Sequence, residues 1–125
     1  MFYDEKVVNI RNSSITAPVK QTHDINSLFV RKIISLMREE CKILDIGTGN
    51  GFVLKQIQEN SDIRSTLTGV DNSSEMVITA RESLGESATI LEGDNNNLPF
   101  VDNYFDIVTA KNVTRYNSDE LYRVL

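Results

Sequence analysis

Apolar residues form two patterns along this chain, a helical spacing and short continuous runs. Between residues 25 and 37 they recur every three or four positions, which predicts an amphipathic helix that begins at Asp24 or Asn26 and ends near Glu40. Residues 1–23 follow neither pattern, so we expect an irregular arm with at most one short helical turn. The apolar stripe of the helix consists of Ile25, Leu28, Phe29, Ile33, Ile34, Leu36 and Met37.

Beyond this helix, short apolar runs alternate with further helical segments. Each run suits a buried strand, and most of the segments between them begin at polar residues of the kind that cap helices. Strands that alternate with helices imply right-handed crossovers, so we expect an α/β fold with a mainly parallel sheet. The predicted strands are residues 42–46, 66–70, 88–91 and 105–110; the predicted helices follow residue 51, begin at 72–74 and end at Gly85, and begin at Asn117 or Ser118.

The segment after the first predicted strand is rich in glycine. Residues 43–52 read ILDIGTGNGF, and glycine at alternate positions permits positive φ angles and lets a ligand lie against the main chain. A dinucleotide-binding loop would place its third glycine at position 52, where this chain has Phe52. Asp45 lies near the end of the strand, and its carboxylate suits an ammonium or sulfonium group rather than a pyrophosphate.

Acidic residues also follow the next two predicted strands. Asp71 comes about 20 residues after the glycine loop, where an acid contacts ribose hydroxyls; the alternative is a cap for the next helix. Asp94 lies in a polar loop, where an Asx turn is the simpler explanation. Because ligands of parallel sheets gather at the carboxyl ends of the strands, Asp45, Asp71 and Asp94 are candidates for one common site.

The sequence ILDIGTGNG resembles motif I of the class I S-adenosylmethionine-dependent methyltransferases, and the likeness extends over about residues 25–125. The resemblance implies a Rossmann-like three-layer sandwich with strand order 3-2-1-4. It also implies S-adenosylmethionine as methyl donor and S-adenosylhomocysteine as product, and we expect a small-molecule methyl acceptor. No catalytic residue is identified, and the implied cofactor-binding residues are Asp45, Gly47, Thr48, Gly49, Asn50, Gly51, Asp71, Asn72, Met76, Asp94, Asn95 and Lys111.

The resemblance also implies roles for the acids. In the family, the acid after the second strand binds the ribose, which transfers to Asp71. The acid after the third strand accepts from the adenine amino group, which transfers to Asp94 with the backbone of Asn95. Leu98 and Phe100 are then expected to flank the base with apolar surface.

Other residues near the predicted site allow more than one interpretation. Asp45 contacts the amino group of the cofactor, directly or through water, or supports the loop by accepting backbone N–H groups, and the two roles are compatible. Thr48 and Asn50 either offer side-chain contacts or are simply exposed. The residues after the fourth strand are candidates for gating or substrate contact: Lys111, Asn112, Thr114, Arg115 and Tyr116.

The N-terminal residues carry weaker signals. His23, the single histidine, is expected to be a solvated linker residue rather than a general base. Phe2 and Tyr3 would belong to a lid over the cofactor, as N-terminal segments of the family often do. The family's signature for methylating amino groups of nucleic acids, N-P-P-Y or D-P-P-Y, is absent from the sequence.

Composition narrows the range of functions. At 125 residues we expect one domain, residues 24–125, after the arm. The net charge of −5 argues against a nonspecific nucleic-acid binder. The lone Cys41 fits a reducing cytoplasm, and no segment has the features of a membrane span, a signal peptide or a metal site.

The chain departs from the family in its length. The family's sheet usually has seven strands, and the four predicted here supply only the cofactor half, so we expect part of a longer protein rather than a naturally short one. The apolar strand 105–110 would then be an exposed edge. We expect it to pair with another chain, giving a homo-oligomer, or to be covered by the N-terminal arm or the last helix. Two alternatives remain, a non-catalytic fragment that binds S-adenosylmethionine or S-adenosylhomocysteine and an NAD-type nucleotide-binding domain.

Overall fold

A computed structural model describes residues 7–10, 19–111, 113 and 116–125 of the chain, with side chains from Asn26 onward. The expectations for Phe2 and Tyr3, for the His23 side chain, and for Asn112, Thr114 and Arg115 lie outside this range. Within it, the elements in chain order are β1 (Val7–Ile10), α1 (Val19–Leu36), β2 (Cys41–Ile46), α2 (Phe52–Asn60), β3 (Ser65–Asp71), α3 (Ser74–Leu84), β4 (Thr89–Glu92), β5 (Ile107–Lys111) and α4 (Ser118–Val124).

The described strands form one parallel sheet in the order β1-β5-β2-β3-β4. The four predicted strands correspond to β2, β3, β4 and β5, and their order confirms the predicted 3-2-1-4 arrangement. In the register, Asp45 lies beside Gly69 of β3 and beside Thr109 of β5. Because these strands are parallel, the carboxyl ends of β2, β3 and β4 lie next to one another on the same side of the sheet.

The prediction of an irregular arm is wrong for two of its parts. Residues Val7–Ile10 form β1, which pairs with β5 from Val7↔Val108 to Ile10↔Lys111, and α1 begins at Val19. The prediction that the N-terminal segment covers the edge of the fourth predicted strand is confirmed. Because β1 occupies that edge, it is not exposed, and the homo-oligomer expected to form through it loses its structural basis.

The sheet carries a buried cluster on each face. One face packs against the three long helices, through side chains such as Phe29 of α1, Leu54 of α2 and Val77 of α3. The other face packs against α4 and the segment before β5, with Leu98 and Phe105 among its members. Apolar side chains that alternate across the pleat of β2 supply both clusters, and this gives the three layers.

Helix α1 differs from its prediction in position and in its buried face. It ends at Leu36, where Met37 N–H donates to Ile34 O at 3.1 Å in a tightened last turn. Glu40 follows with a φ of 65° and donates its N–H to Arg64 O at 2.7 Å, so the chain has already turned toward β2. The predicted stripe includes Leu28, but that side chain is 57% exposed.

The shorter helices agree with their local signals. Val53, Leu54 and Ile57 are the buried residues of α2, as predicted. The N-cap of α3 is Ser73, and Gly85 ends the helix. In α4 the capping residue is Asn117, one of the two expected. No helix among the described residues has the length and apolar character needed to cross a bilayer.

Candidate functional site

The glycine loop between β2 and α2 folds back over the end of β3. Its three glycines, Gly47, Gly49 and Gly51, have φ angles of 63°, 57° and 85°. Thr48 N–H donates to Val70 O at 3.0 Å, and Gly51 N–H donates to Thr48 O at 2.9 Å. Glycine adopts positive φ angles readily, and this explains why the alternation suits a tight connection.

The glycines of this loop differ in what surrounds them. A Cβ on Gly51 would lie 2.7 Å from Leu84 Cδ1, so this glycine lets α2 pack closely on α3. A Cβ on Gly47 would lie 2.5 Å from Val113 Cγ2. A Cβ on Gly49 would meet no heavy atom within 4 Å among the described residues. Gly49 therefore faces the open side of the loop, where a ligand can approach the main chain.

Asp71 joins the end of β3 to this loop. Its Oδ2 accepts the N–H of Gly49 at 2.8 Å, and its Oδ1 accepts the N–H of Ser73 at 2.9 Å. The cap of α3 is instead the Ser73 hydroxyl, which accepts the Met76 N–H at 3.3 Å. The alternative that Asp71 itself caps the helix is therefore wrong, and its nearly buried carboxylate supports the glycine loop.

Asp45 is a buried acid directly beneath the loop, 2% exposed. Its Oδ1 accepts the Thr109 hydroxyl at 2.6 Å. Within the described part of the chain no backbone N–H donates to it, so Asp71 rather than Asp45 supports the loop in that way. Burial raises the pKa of Asp45 to about 6, although the Thr109 hydrogen bond and the charge of Lys111 oppose this rise.

Thr48 is buried, so the interpretation as a simply exposed residue is wrong. Its hydroxyl favours the ionised Asp45 carboxylate, but that contact falls short of hydrogen-bonding geometry. Among the described residues, Thr48 Oγ1 is the one buried side-chain polar atom without a partner. A buried unpaired hydroxyl is costly, and a bound polar group would remove that cost. Asn50 is exposed, and its Oδ1 accepts the Phe52 N–H.

The loop after β4 places Asp94 and Asn95 at the same edge of the sheet. Asp94 is exposed, and its Oδ1 accepts the Asn96 N–H at 2.9 Å, so the expected Asx turn is present. Leu98 is buried in the core rather than facing the loop surface, and Phe100 packs edge-on against Phe105 with ring centroids 4.9 Å apart. The Asx turn and the packing of Leu98 and Phe100 do not test the adenine role of Asp94.

Arg123 and Glu120 of α4 fasten this loop to the body of the fold. The Arg123 guanidinium donates to Leu98 O at 2.9 Å and to Phe100 O at 2.8 Å. Glu120 accepts the Leu98 N–H at 2.7 Å and the Arg123 Nε–H at 2.6 Å. The segment that follows the expected adenine-binding residues is therefore held at both its N–H and its carbonyl groups.

The remaining predicted residues lie at the start of α3 and at the end of β5. Asn72 is exposed and Met76 is half-buried at the start of α3. Lys111 ends β5 and is half-buried, and this burial lowers its pKa while the Asp45 carboxylate opposes the change. Tyr116 packs at the margin of the second core cluster.

Sequence reasoning missed Thr109 and Val113. Thr109 is fully buried in β5 and bonds to Asp45, and Val113 packs over Gly47. The available signal for Thr109 was a polar residue inside an otherwise apolar strand. Among the described residues, no group of three or more His, Cys, Asp and Glu could hold a metal ion.

Comparison with known proteins identifies the family. Residues 43–125 match the profile of a family described as a methyltransferase domain. This chain belongs to that family. It is 38% identical over 69 residues to demethylmenaquinone methyltransferase of Thermotoga maritima. The aligned segment covers 55% of this chain and 29% of that protein.

Solved structures show the same fold. The YcgJ protein of Bacillus subtilis is 28% identical, with a TM-score of 0.67 over 82% of this chain and 46% of its own. A SAM-dependent methyltransferase from Aquifex aeolicus superposes with a TM-score of 0.63 at 24% identity, over 76% of this chain and 57% of that one. The fold and the resemblance of the glycine loop to a methyltransferase motif are thus confirmed. The chain spans less than a third of the Thermotoga relative and about half of these two structures.

Proposed function

We propose that this chain forms the cofactor-binding part of an S-adenosylmethionine-dependent methyltransferase that acts on a small molecule. Membership of the family implies S-adenosylmethionine as the cofactor. The matched Thermotoga relative is named for demethylmenaquinone, and this supports a small-molecule acceptor. Supporting evidence for the site comes from the residues around the glycine loop.

One observation carries the proposal. Two buried acids, Asp45 and Asp71, lie near the carboxyl ends of the neighbouring parallel strands β2 and β3, and neither forms an ion pair with a described residue. A buried carboxylate such as Asp45, without an ion-pair partner, favours a cationic ligand group and disfavours a pyrophosphate. S-adenosylmethionine carries an ammonium that Asp45 can receive, whereas NAD would bring two phosphates to the loop beside this acid. Asp71 suits the ribose of either ligand, so Asp45 makes the distinction.

The residues at the loop fit such a cofactor. Among the described residues, the space beside Gly49 is open, so a ligand can contact the main chain there. The Thr48 hydroxyl has no hydrogen-bond partner among them and can bond to a polar group of the ligand. In this proposal Asp45 receives the amino group and Asp71 accepts from the ribose hydroxyls. Asp94, with the Asn95 backbone, takes the adenine. Asn50, Asn72, Met76 and Lys111 would complete the surroundings.

The chain's contribution to methyl transfer would be binding and orientation. The cofactor supplies a methyl group on a good leaving group, so the reaction is an in-line displacement at carbon. Acids held rigidly beneath the loop fix the amino group and the ribose, and thereby the direction in which the methyl group points. A general base is needed only for acceptors that are protonated at neutral pH, so its absence from the described site is compatible with the proposal.

Calorimetry tests the binding part of the proposal. The 125-residue chain is titrated with S-adenosylhomocysteine, S-adenosylmethionine and NAD under the same conditions. We expect the first two to bind and NAD not to displace them. Tighter binding of NAD than of S-adenosylmethionine would favour the nucleotide-binding alternative and contradict the proposal.

A transfer assay tests the reaction. Labelled S-adenosylmethionine is incubated with the chain and demethylmenaquinone, and labelled product is extracted. Binding of the cofactor without product would exclude this quinone as the acceptor, and failure of further small-molecule acceptors as well would support the alternative of a fragment that holds the cofactor without turnover. A cytoplasmic location, expected from the lone Cys41, stays a prediction.

A further inference from the structure

Thr109 is placed to act on the buried acid of the site. It lies opposite Asp45 in the register of β5 and β2, and its side chain is fully buried. Its hydroxyl is 2.6 Å from Asp45 Oδ1 and 3.4 Å from Leu44 O. A hydroxyl has a single proton to donate, and the much shorter distance assigns that proton to the carboxylate.

We propose that Thr109 is a positioning residue for the amino group of the cofactor. Its hydroxyl holds the Asp45 carboxylate ionised and in one orientation beneath the glycine loop. The inference rests on the proposed function, in which Asp45 receives that amino group. It adds to the site a residue of β5 that touches no cofactor atom and acts through Asp45.

The other groups that face Asp45 do not replace this hydrogen bond. Lys111, two residues further along β5, favours the ionised carboxylate by its charge, and Asp71 of β3 opposes it. The Thr48 hydroxyl of the loop also favours the ionised carboxylate, but it lies beyond hydrogen-bonding geometry. Within the described residues, Thr109 is therefore the hydrogen-bond donor that stabilises the charge, and its loss should make Asp45 take up a proton at higher pH.

The test measures the affinity for S-adenosylhomocysteine between pH 5 and pH 8 in the unchanged protein, Thr109→Val and Thr109→Ser. Affinity should fall as Asp45 is protonated. In Thr109→Val the midpoint of this fall should move up by about one pH unit, as expected for the loss of one hydrogen bond to a charged group. Thr109→Ser retains the donor, and its midpoint should stay within a few tenths of a unit of the unchanged protein.

Thr68→Val is the matched control. Thr68 is a buried threonine of β3 paired with Leu44, so its side chain lies on the opposite face of the sheet from Asp45. This variant should leave the midpoint unchanged. Thermal melts at pH 7 establish that each variant is folded before its affinity is measured.

A second probe separates the amino group from the rest of the ligand. 5′-Methylthioadenosine keeps the adenosine and the sulfur but lacks the amino acid part, so its affinity should be equal in the unchanged protein and Thr109→Val. An unmoved midpoint in Thr109→Val, or an equal shift with 5′-methylthioadenosine or in Thr68→Val, would overturn the role of Thr109. Failure of the unchanged protein to bind S-adenosylhomocysteine at any pH would instead overturn the proposed function, and the inference with it.

Discussion

The Asp71 carboxylate accepts the backbone N–H of Gly49 at 2.8 Å, so the acid that ends β3 holds the loop that follows β2. A carboxylate offers about four acceptor sites, and the two backbone donors at Asp71 leave room for ribose hydroxyls. The same side chain can therefore stabilise the loop and bind the cofactor. Loop stability and cofactor affinity should then depend on it separately.

Replacing Asp71 with Ala should reduce both properties. We expect the free energy of unfolding in urea to fall by about 1–3 kcal/mol, because two backbone N–H groups lose a charged acceptor. The affinity for S-adenosylhomocysteine should fall at least tenfold. The exposed Asp62→Ala serves as control and should change neither quantity.

The ribose contact can be isolated with a 2′-deoxy analogue of S-adenosylhomocysteine. The unchanged protein should bind this analogue more weakly than the parent ligand, whereas Asp71→Ala should bind the two about equally. If both proteins preferred the parent ligand over the 2′-deoxy analogue to the same degree, Asp71 would have no contact with the ribose and would only stabilise the loop.

Asp45→Asn should stabilise the protein at neutral pH while weakening cofactor binding. The folded pKa of about 6 lies above the ordinary 3.8, so ionised Asp45 destabilises the fold above pH 6, and protonation relieves this as pH falls toward 4. In urea unfolding, the free energy of unfolding of Asp45→Asn should therefore exceed that of the unchanged protein by about 3 kcal/mol at pH 8. The difference should shrink toward zero near pH 4. A difference that stays constant with pH would contradict burial of the ionised carboxylate.

Two glycine variants should separate ligand binding from packing. Gly49→Ala and Gly51→Ala both place a side chain at positive φ, which costs about 1–2 kcal/mol. The new methyl group of Gly49→Ala meets none of the described residues and enters the space assigned to the ligand, so we expect a large loss of affinity for S-adenosylhomocysteine. The methyl group of Gly51→Ala meets Leu84, so we expect the larger loss of stability there. The reverse ranking of the two variants would argue against a ligand at Gly49.

Arg123→Ala should loosen the loop that carries the expected adenine-binding residues. The loss of its hydrogen bonds to Leu98 O and Phe100 O should speed hydrogen exchange of the Leu98 amide and lower the affinity for S-adenosylhomocysteine several-fold. Arg64→Ala removes an arginine from the exposed pair with Glu40 and should leave both measurements unchanged. Slow exchange at Leu98 in Arg123→Ala would show that Glu120 alone holds the loop.

Local signals made most of the sheet and the cofactor loop predictable. Apolar runs marked β2 to β5, and Ser73 and Gly85 marked the ends of α3, because capping and burial depend on neighbouring residues. The same holds for the alternating glycines, whose positive φ angles follow from the tight connection between strand and helix.

Features that depend on distant contacts were not predictable in this way. The apolar pattern of Val7–Ile10 is too short and irregular to predict a strand. These residues form a strand because they pair with β5. The role of Thr109 depends on the register that sets it opposite Asp45. Asp71 was expected to contact a ligand, but its hydrogen bond to Gly49 arises because the loop folds back over β3.

The pairing of β1 with β5 has a consequence for synthesis on the ribosome. Val7 meets Val108, so β1 emerges about a hundred residues before its partner exists. A nascent chain therefore carries Val7–Ile10 without a strand to join until about a hundred further residues have been made, while β2, β3 and β4 can already assemble. Among the described strands, β5 and its pairing with β1 come last, and a ribosome that stalls before β5 leaves Val7–Ile10 open to chaperones.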